Sequence, residues 1–316
     1  MRLNALLQVT SGDSPRLAVI VMLCGLSCLS LQDALVKIIS VDTTLWQIQS
    51  IRAAVNIVLV LLLSRALKNQ LVLLPKRPAV VAMRAFFHVC ALTFFFGAAP
   101  FLSLAQMAGG LYTFPLFVGL LGILVGERVG PRRVFAIAAG FIGTVLVLKI
   151  DPTDFSPLTL MPVGAGFCYA LFVVTTRRLC RDESPVALVI ASNVMILAVG
   201  VLGLLLIPKL SILEETREHF PFLLTANAAL TSVVIVVILF CSFLNTAGNL
   251  CLSKAYQSAD SSFLAPFDYM YLLFATFWGV VLIGDLPDST TVTGLFLIAG
   301  AGVFVAWRER QLNADD

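Results

Sequence analysis

The chain has 316 residues, of which 59% are apolar and only 12% charged, with a mean hydropathy of +0.98 and a net charge of +3. Soluble domains carry about a quarter charged residues, so a water-soluble fold is excluded as a home for this much apolar surface. A hydrocarbon core about 30 Å thick takes roughly 20 apolar residues per helix, which leaves room for about ten spans and none for a separate soluble catalytic domain.

Apolar runs broken by charges, Pro and Gly predict spans over 17–37, 45–64, 79–97, 102–126, 131–149, 159–177, 186–207, 230–252, 260–284 and 290–307. Residues 1–16, with Ser11, Gly12, Asp13, Ser14 and Pro15, lack a small-residue cleavage site, so the expectation is a cytoplasmic N-terminal segment leading into a retained first helix. The breaks fall at Pro75 and Pro78, Pro131, Pro152 and Pro157, Pro185, Pro208 and Pro287, because proline lacks the amide donor and clashes with the preceding turn. Between the third and fourth spans Pro100 alone separates two runs that almost merge.

Basic residues set the orientation. Fifteen lie at one set of span ends, among them Arg65, Lys76, Arg77, Arg132, Arg177 and Arg310, against Lys37, Lys149, Lys209 and Arg217 at the other. The positive-inside rule then places both termini, including the tail 308–316, in the cytoplasm. The seven cysteines show neither zinc spacing nor a disulfide framework and read as small buried hydrophobes.

The stretch from Leu121 to Lys149 lies over the stretch from Val280 to Trp307 at a shift of 158 positions, with Gly126-Glu127 meeting Gly284-Asp285. Two halves of five helices, 17–149 and 159–307, must point in opposite directions because five is odd. Inverted repeats of this kind let one midplane site open alternately to either side.

Ionisable residues inside spans are few, and insertion scales charge about 2.5 to 3.5 kcal/mol for each at a helix centre, so they should face the bundle interior. Asp33 and Lys37 stand four apart with the acid first, a spacing suited to pairing, and Arg52 enters the second span from outside at a depth that could meet Asp33. An interfacial ion pair and a pathway-lining role are both open for this set. Arg84 and His88 lie one turn apart in the third span, and Asp268 rises in the ninth to a similar depth. Their pairing would either clamp two helices or exchange a proton during a cycle. Asn245 and Asn249 share one face of the eighth span, and Ser192 and Asn193 add polar groups to the seventh, serving as interhelical glue or as solute contacts. Among Tyr112, Tyr169, Tyr269, Tyr271 and Trp278, the first choices for a cavity lining are Tyr112 and Tyr269, each close to a helix-perturbing proline, Pro115 or Pro266.

The helix ending in Gly126-Glu127-Arg128, the stretch Ala105 to Pro115, the run Leu264-Ala265-Pro266-Phe267-Asp268-Tyr269 leading to Gly284-Asp285, and the closing Trp307-Arg308-Glu309-Arg310 together resemble the drug/metabolite transporter superfamily, EamA type. Asp285 stands where that family often has Glu, which keeps the carboxylate. The resemblance implies an all-α membrane protein of ten helices in two EamA repeats around a central cavity in a bacterial inner membrane. It also implies transport of a small organic metabolite without ATP hydrolysis; amino-acid derivatives, riboflavin, S-adenosylmethionine, metallophores and toxic amphiphiles are all within its range.

No Walker loop, complete dinucleotide fingerprint, zinc-protease motif or nucleophile elbow occurs in the chain. With two histidines, one in an external loop beside Glu214, Glu215 and Glu218, neither a metal nor another cofactor is expected. The partners expected are the bilayer, a small-molecule substrate and a coupling proton, with no nucleic acid; small-residue helices leave room for a homodimer. The rival readings are a membrane-embedded enzyme, whose mark would be several acids and histidines at one depth, and a channel, which would show rings of like charge.

Overall fold

A computed structural model describes residues 15–66, 73–124, 131–149, 156–211, 214–225, 227–258 and 261–314. Among these residues the regular structure is entirely helical. The helices are α1 (Pro15–Ile39), α2 (Leu45–Ala66), α3 (Pro78–Gly97), α4 (Leu104–Leu111), α5 (Phe114–Leu124), α6 (Pro131–Leu148), α7 (Met161–Leu179) and α8 (Pro185–Leu206). After two short surface helices, α9 (Glu214–His219) and α10 (Pro221–Leu224), come α11 (Ser232–Ser258), α12 (Ser261–Asp268), α13 (Met270–Trp278) and α14 (Ser289–Ala314).

Among the described residues eight helical segments are long and apolar enough to cross a membrane: Arg16–Ile39, Leu45–Arg65, Pro78–Gly97, Leu104–Leu121, Pro157–Leu179, Val186–Lys209, Ser232–Leu252 and Pro266–Ile283. Two shorter apolar helices, Ala138–Leu148 and Ser289–Phe304, fall where the fifth and tenth spans are expected. Large apolar side chains stand open along these helices, among them Ile20, Val58, Phe86, Leu202, Phe243 and Phe296. A soluble protein rarely leaves so much apolar surface uncovered; acyl chains are the medium that covers it.

The chain forms two compact units. The described residues of Met1–Ala34, Ser103–Phe155 and Leu244–Asp316 make the first, and those of Leu35–Leu102 and Ser156–Phe243 the second. Each unit therefore draws helices from both halves of the sequence, a division different from the repeat boundaries expected at 17–149 and 159–307.

In the first unit α6 packs along α14, α4 against α6 and α13, and α12 against α14. The α6 to α14 crossing is a glycine contact: a Cβ on Gly143 would stand 2.8 Å from the Gly294 carbonyl oxygen, and one on Gly294 would stand 2.5 Å from that of Gly143. Where lipid removes the hydrophobic drive between helices, such close approach supplies the dispersion contact that holds them. In the second unit α2 packs along α8, and α3 packs against α7 and α8 around Ala53, Val89 and Ile196. Asn56 Nδ2 donates to Asn193 Oδ1 (3.3 Å), and Trp46 Nε1 donates to the Leu223 carbonyl (2.7 Å). The expected glue role of Asn193 is thus occupied, at an average worth of about 0.6 kcal/mol per bond.

The narrow gap at Pro100 is a real helix end. α3 stops at Gly97, the chain passes through hydrogen-bonded turns, and Ser103 with Gln106 forms a capping box at the start of α4. Lys37 Nζ donates to the carbonyls of Ala99 (2.9 Å) and Leu102 (2.8 Å), placing a cation at carbonyls left over just beyond the end of α3.

Candidate functional site

Two of the expected spans are interrupted, and the interruptions match. The fourth breaks between α4 and α5 at Tyr112 and Thr113, two residues before Pro115; the ninth breaks at Tyr269 between α12 and α13, three residues after Pro266. The breaks at Tyr112 and Tyr269 are 157 positions apart, one short of the 158-position shift noted in the sequence. Proline removes a donor and crowds the preceding turn, so the helix yields near each proline rather than at random.

Both breaks lie in the first unit, where they gather a cluster of tyrosines and one carboxylate. Tyr112 and Tyr271 stack with ring centres 5.2 Å apart and planes 13° apart, while Tyr269 meets Tyr112 edge-on at 5.5 Å. Tyr112 donates its hydroxyl to the Asp268 carbonyl oxygen (2.9 Å), one of the acceptors that a helix break leaves open. Asp33, 6% exposed, accepts from the Tyr271 hydroxyl (2.5 Å) and from Gln32 Nε2 (2.8 Å). Two donors allow a carboxylate to stay in a span, and charge-assisted bonds of this kind are roughly twice as strong as neutral ones. Tyr269 lies directly on the backbone of α14: a Cβ on Gly302 would overlap its hydroxyl at 1.6 Å. Only glycine leaves that ring its place.

The second unit holds a cationic cluster. Arg84, 7% exposed, donates from Nε to Thr176 Oγ1 (2.7 Å) and from Nη1 to Ser192 Oγ (3.0 Å) and the Leu188 carbonyl (3.2 Å). Its guanidinium lies 4.2 Å over the Phe172 ring, on which His88 also stacks at 4.6 Å. Arg52 lies over Phe96 at 5.1 Å.

Of the residues nominated from sequence, Asp33, Tyr112, Asp268 and Tyr269 come together in the first unit, and Arg84 with His88 in the second, where Arg52 also lies. Asp268 and Arg84 belong to different units. Asn249 donates to the carbonyl (2.8 Å) and Oδ1 (3.2 Å) of Asn245 along one face of α11. Sequence reasoning passed over the donor Gln32 and the ring of Phe172, and it named Tyr271 without choosing it. Phe172 and Thr176 are four apart, so both fall on the Arg84 side of α7; that spacing was the available signal.

A cavity of about 120 Å³ in the first unit is lined by Ser103, Gln106, Lys149, Asp285, Asp288 and Thr291 among others, and by none of the nominated residues. Gly284 there takes φ +80, the left-handed conformation that ends the π turn Gly279–Ile283, which explains the glycine of the Gly284-Asp285 pair. Its counterpart Gly126-Glu127 lies outside the described residues. Asp288 caps α14 through Thr291 and pairs with Lys149 at 3.2 Å; the hydroxyl bonds of Thr291 and Thr290 hold its carboxyl well below the usual carboxylate range. Among the described residues no group of three or more His, Cys, Asp or Glu converges as metal ligands would.

Long apolar helices and exposed apolar surface define a multi-pass membrane protein. Residues 157–307 match the model of the EamA-like transporter family. A riboflavin transporter of Vibrio cholerae is 27% identical over 64% of this chain and 62% of its own length, so the match spans under two thirds of that relative. An S-adenosylmethionine uptake transporter of Rickettsia bellii is 24% identical over 74% of this chain and 75% of its own. A solved crystal structure aligns over 92% of this chain and 98% of its own with a TM-score of 0.54 at 17% identity, which shows a shared fold.

Proposed function

We propose that the chain is a secondary transporter that moves a small organic metabolite across a bacterial inner membrane by alternating access. In this reading ten spans form two inverted five-helix repeats with both termini in the cytoplasm. The observation that carries the reading is the pair of spans broken at Tyr112 and Tyr269, 157 positions apart and so one short of the 158-position shift, converging with Asp33. Discontinuous helices at corresponding positions of two halves are where carriers of this architecture hold their solute. Helix pairing supports the repeat: α2 with α8, α6 with α14 and α4 with α13 each join a span of the first half to the span five places on.

The solute is a zwitterionic or polar heteroaromatic metabolite of the kind named by the relatives, riboflavin or S-adenosylmethionine. The transporter names of the relatives favour transport over a membrane-embedded enzyme. Proton coupling is proposed at Asp268 and His88.

Purified protein in proteoliposomes should take up labelled riboflavin or S-adenosylmethionine, with accumulation that collapses when an imposed proton gradient is dissipated. No movement of any solute by folded protein contradicts the transport reading. Full retention of pH dependence by Asp268→Asn removes the proposed coupling site.

A further inference from the structure

The connection between α8 and α11 runs at a membrane surface, since one apolar span ends at Lys209 and the next begins at Ser232. Headgroups fill the outermost roughly 5 to 8 Å on each side of a bilayer. In that layer the second unit holds a cavity of about 260 Å³ lined by Ile207, Pro208, Arg217, Leu224, Thr225 and Asn227. Pockets for whole drug-sized solutes run from roughly 300 Å³ upward, so this one suits a smaller group. Its wall is built in place. Gln47 donates from Nε2 to the Ala228 carbonyl (2.9 Å) and accepts from the Ala228 amide (3.2 Å), while Trp46 Nε1 holds the Leu223 carbonyl (2.7 Å). The hydroxyls of Thr43 (3.1 Å) and Thr44 (3.2 Å) donate in turn to Gln47 Oε1, so the segment carrying Leu224, Thr225 and Asn227 is tied to the start of α2.

The lining has two characters. Arg217, Thr225 and Asn227 bring guanidinium, hydroxyl and amide donors. Ile207, Pro208 and Leu224 are apolar, and their chain neighbours Leu205, Leu206 and Leu210 stand 52 to 57% exposed, where acyl chains lie. A guanidinium beside neutral donors matches the geometry of a phosphate. The short helix α9 also carries three acids: Glu214 accepts from Arg217 Nη1 (3.3 Å) at an exposed position, and Glu215 and Glu218 follow it. One cation among three acids does not favour a ligand of net negative charge, but it suits a phosphate that brings its own ammonium. We propose that this cavity binds the headgroup of a zwitterionic aminophospholipid, with the phosphate on Arg217, Thr225 and Asn227, the ammonium beside Glu214, and the acyl chains along Leu205, Leu206 and Leu210. The site depends on the membrane spans alone and not on the transport reading, whose tyrosine cluster belongs to the first unit.

The test is native mass spectrometry of the full chain, delipidated in detergent and titrated with phosphatidylethanolamine or phosphatidylglycerol of identical acyl chains. Wild type should hold phosphatidylethanolamine about tenfold or more tightly than Arg217→Met does, because the bonds lost are to a charged group. Arg217→Lys should keep part of the affinity, and Glu214→Gln should lose the preference for phosphatidylethanolamine over phosphatidylglycerol. Arg181→Met, which removes an exposed cation outside the cavity, should bind as wild type does. Glycerophosphoethanolamine, the same headgroup without chains, should fail to displace the lipid at equal concentration. Equal binding by wild type and Arg217→Met, a wild-type preference for phosphatidylglycerol, an equal loss in Arg181→Met, or displacement by glycerophosphoethanolamine overturns the proposal. Should Arg217→Met fail to fold, the wild-type preference with Arg217→Lys and Glu214→Gln still decides it.

Discussion

The Asp33 carboxyl is satisfied within a span because Tyr271 and Gln32 both donate to it. Leaving a buried acceptor without its donor costs about 1 to 3 kcal/mol, so Tyr271→Phe should lower the thermal midpoint and slow transport, as read in matched vesicles. Glu183 works at the membrane edge: its carboxylate accepts the amides of Lys76 and Arg77 at the start of α3 and pairs with the Arg77 guanidinium. Glu183→Ala should destabilise by about 1 to 3 kcal/mol in thermal unfolding, with solute affinity in the surviving folded fraction unchanged. Asp288 gives a prediction in pH. Its folded-state pKa lies below the unfolded value, so its contribution is present above about pH 4 and is lost as pH falls from there toward the folded value. Asp288→Asn should therefore flatten the acid side of the stability profile between about pH 5 and 3; an unchanged slope would assign the acid loss to other groups.

Helix ends and breaks follow local chemistry, and they were legible where a proline or glycine stood. Pro115 and Pro266 pointed to Tyr112 and Tyr269, and the turn at Pro100 was readable although the flanking apolar runs almost merged. The ring contacts were not legible: Tyr271 lies two residues past Tyr269, and only the phase reset at the break turns it onto Tyr112 and Asp33. Lys37 illustrates the same limit, since its ammonium reaches the carbonyls of Ala99 and Leu102, a contact that its spacing from Asp33 did not suggest. Two element-scale predictions follow from packing. Gly294→Leu should disrupt the α6 to α14 crossing by about 1 to 3 kcal/mol or more, seen as loss of folded protein in detergent. Pro266→Ala, which restores a donor and permits a straighter span, should raise the thermal midpoint while slowing transport, if the break serves the solute rather than the fold.

At the scale of the whole molecule, composition pointed to a membrane protein and apolar runs of about 20 residues to helical spans, because a helix satisfies its backbone polar groups within one segment. Compact units that mix the halves could not be read from the chain, since spacing along a sequence says nothing about which distant helices share a face. The packing of α2 with α8, α4 with α13 and α6 with α14 joins helices that are far apart in the sequence. Such pairs can rock while their own contacts stay intact.

The most direct measurement is counterflow in proteoliposomes loaded with unlabelled S-adenosylmethionine or riboflavin, following entry of the labelled solute into vesicles bearing wild type or Tyr271→Phe. Alternating access at the broken-span site predicts a transient overshoot with one of these solutes in the wild type and a slower one in the variant. Simple equilibration without overshoot, or equal rates in both proteins, would contradict it.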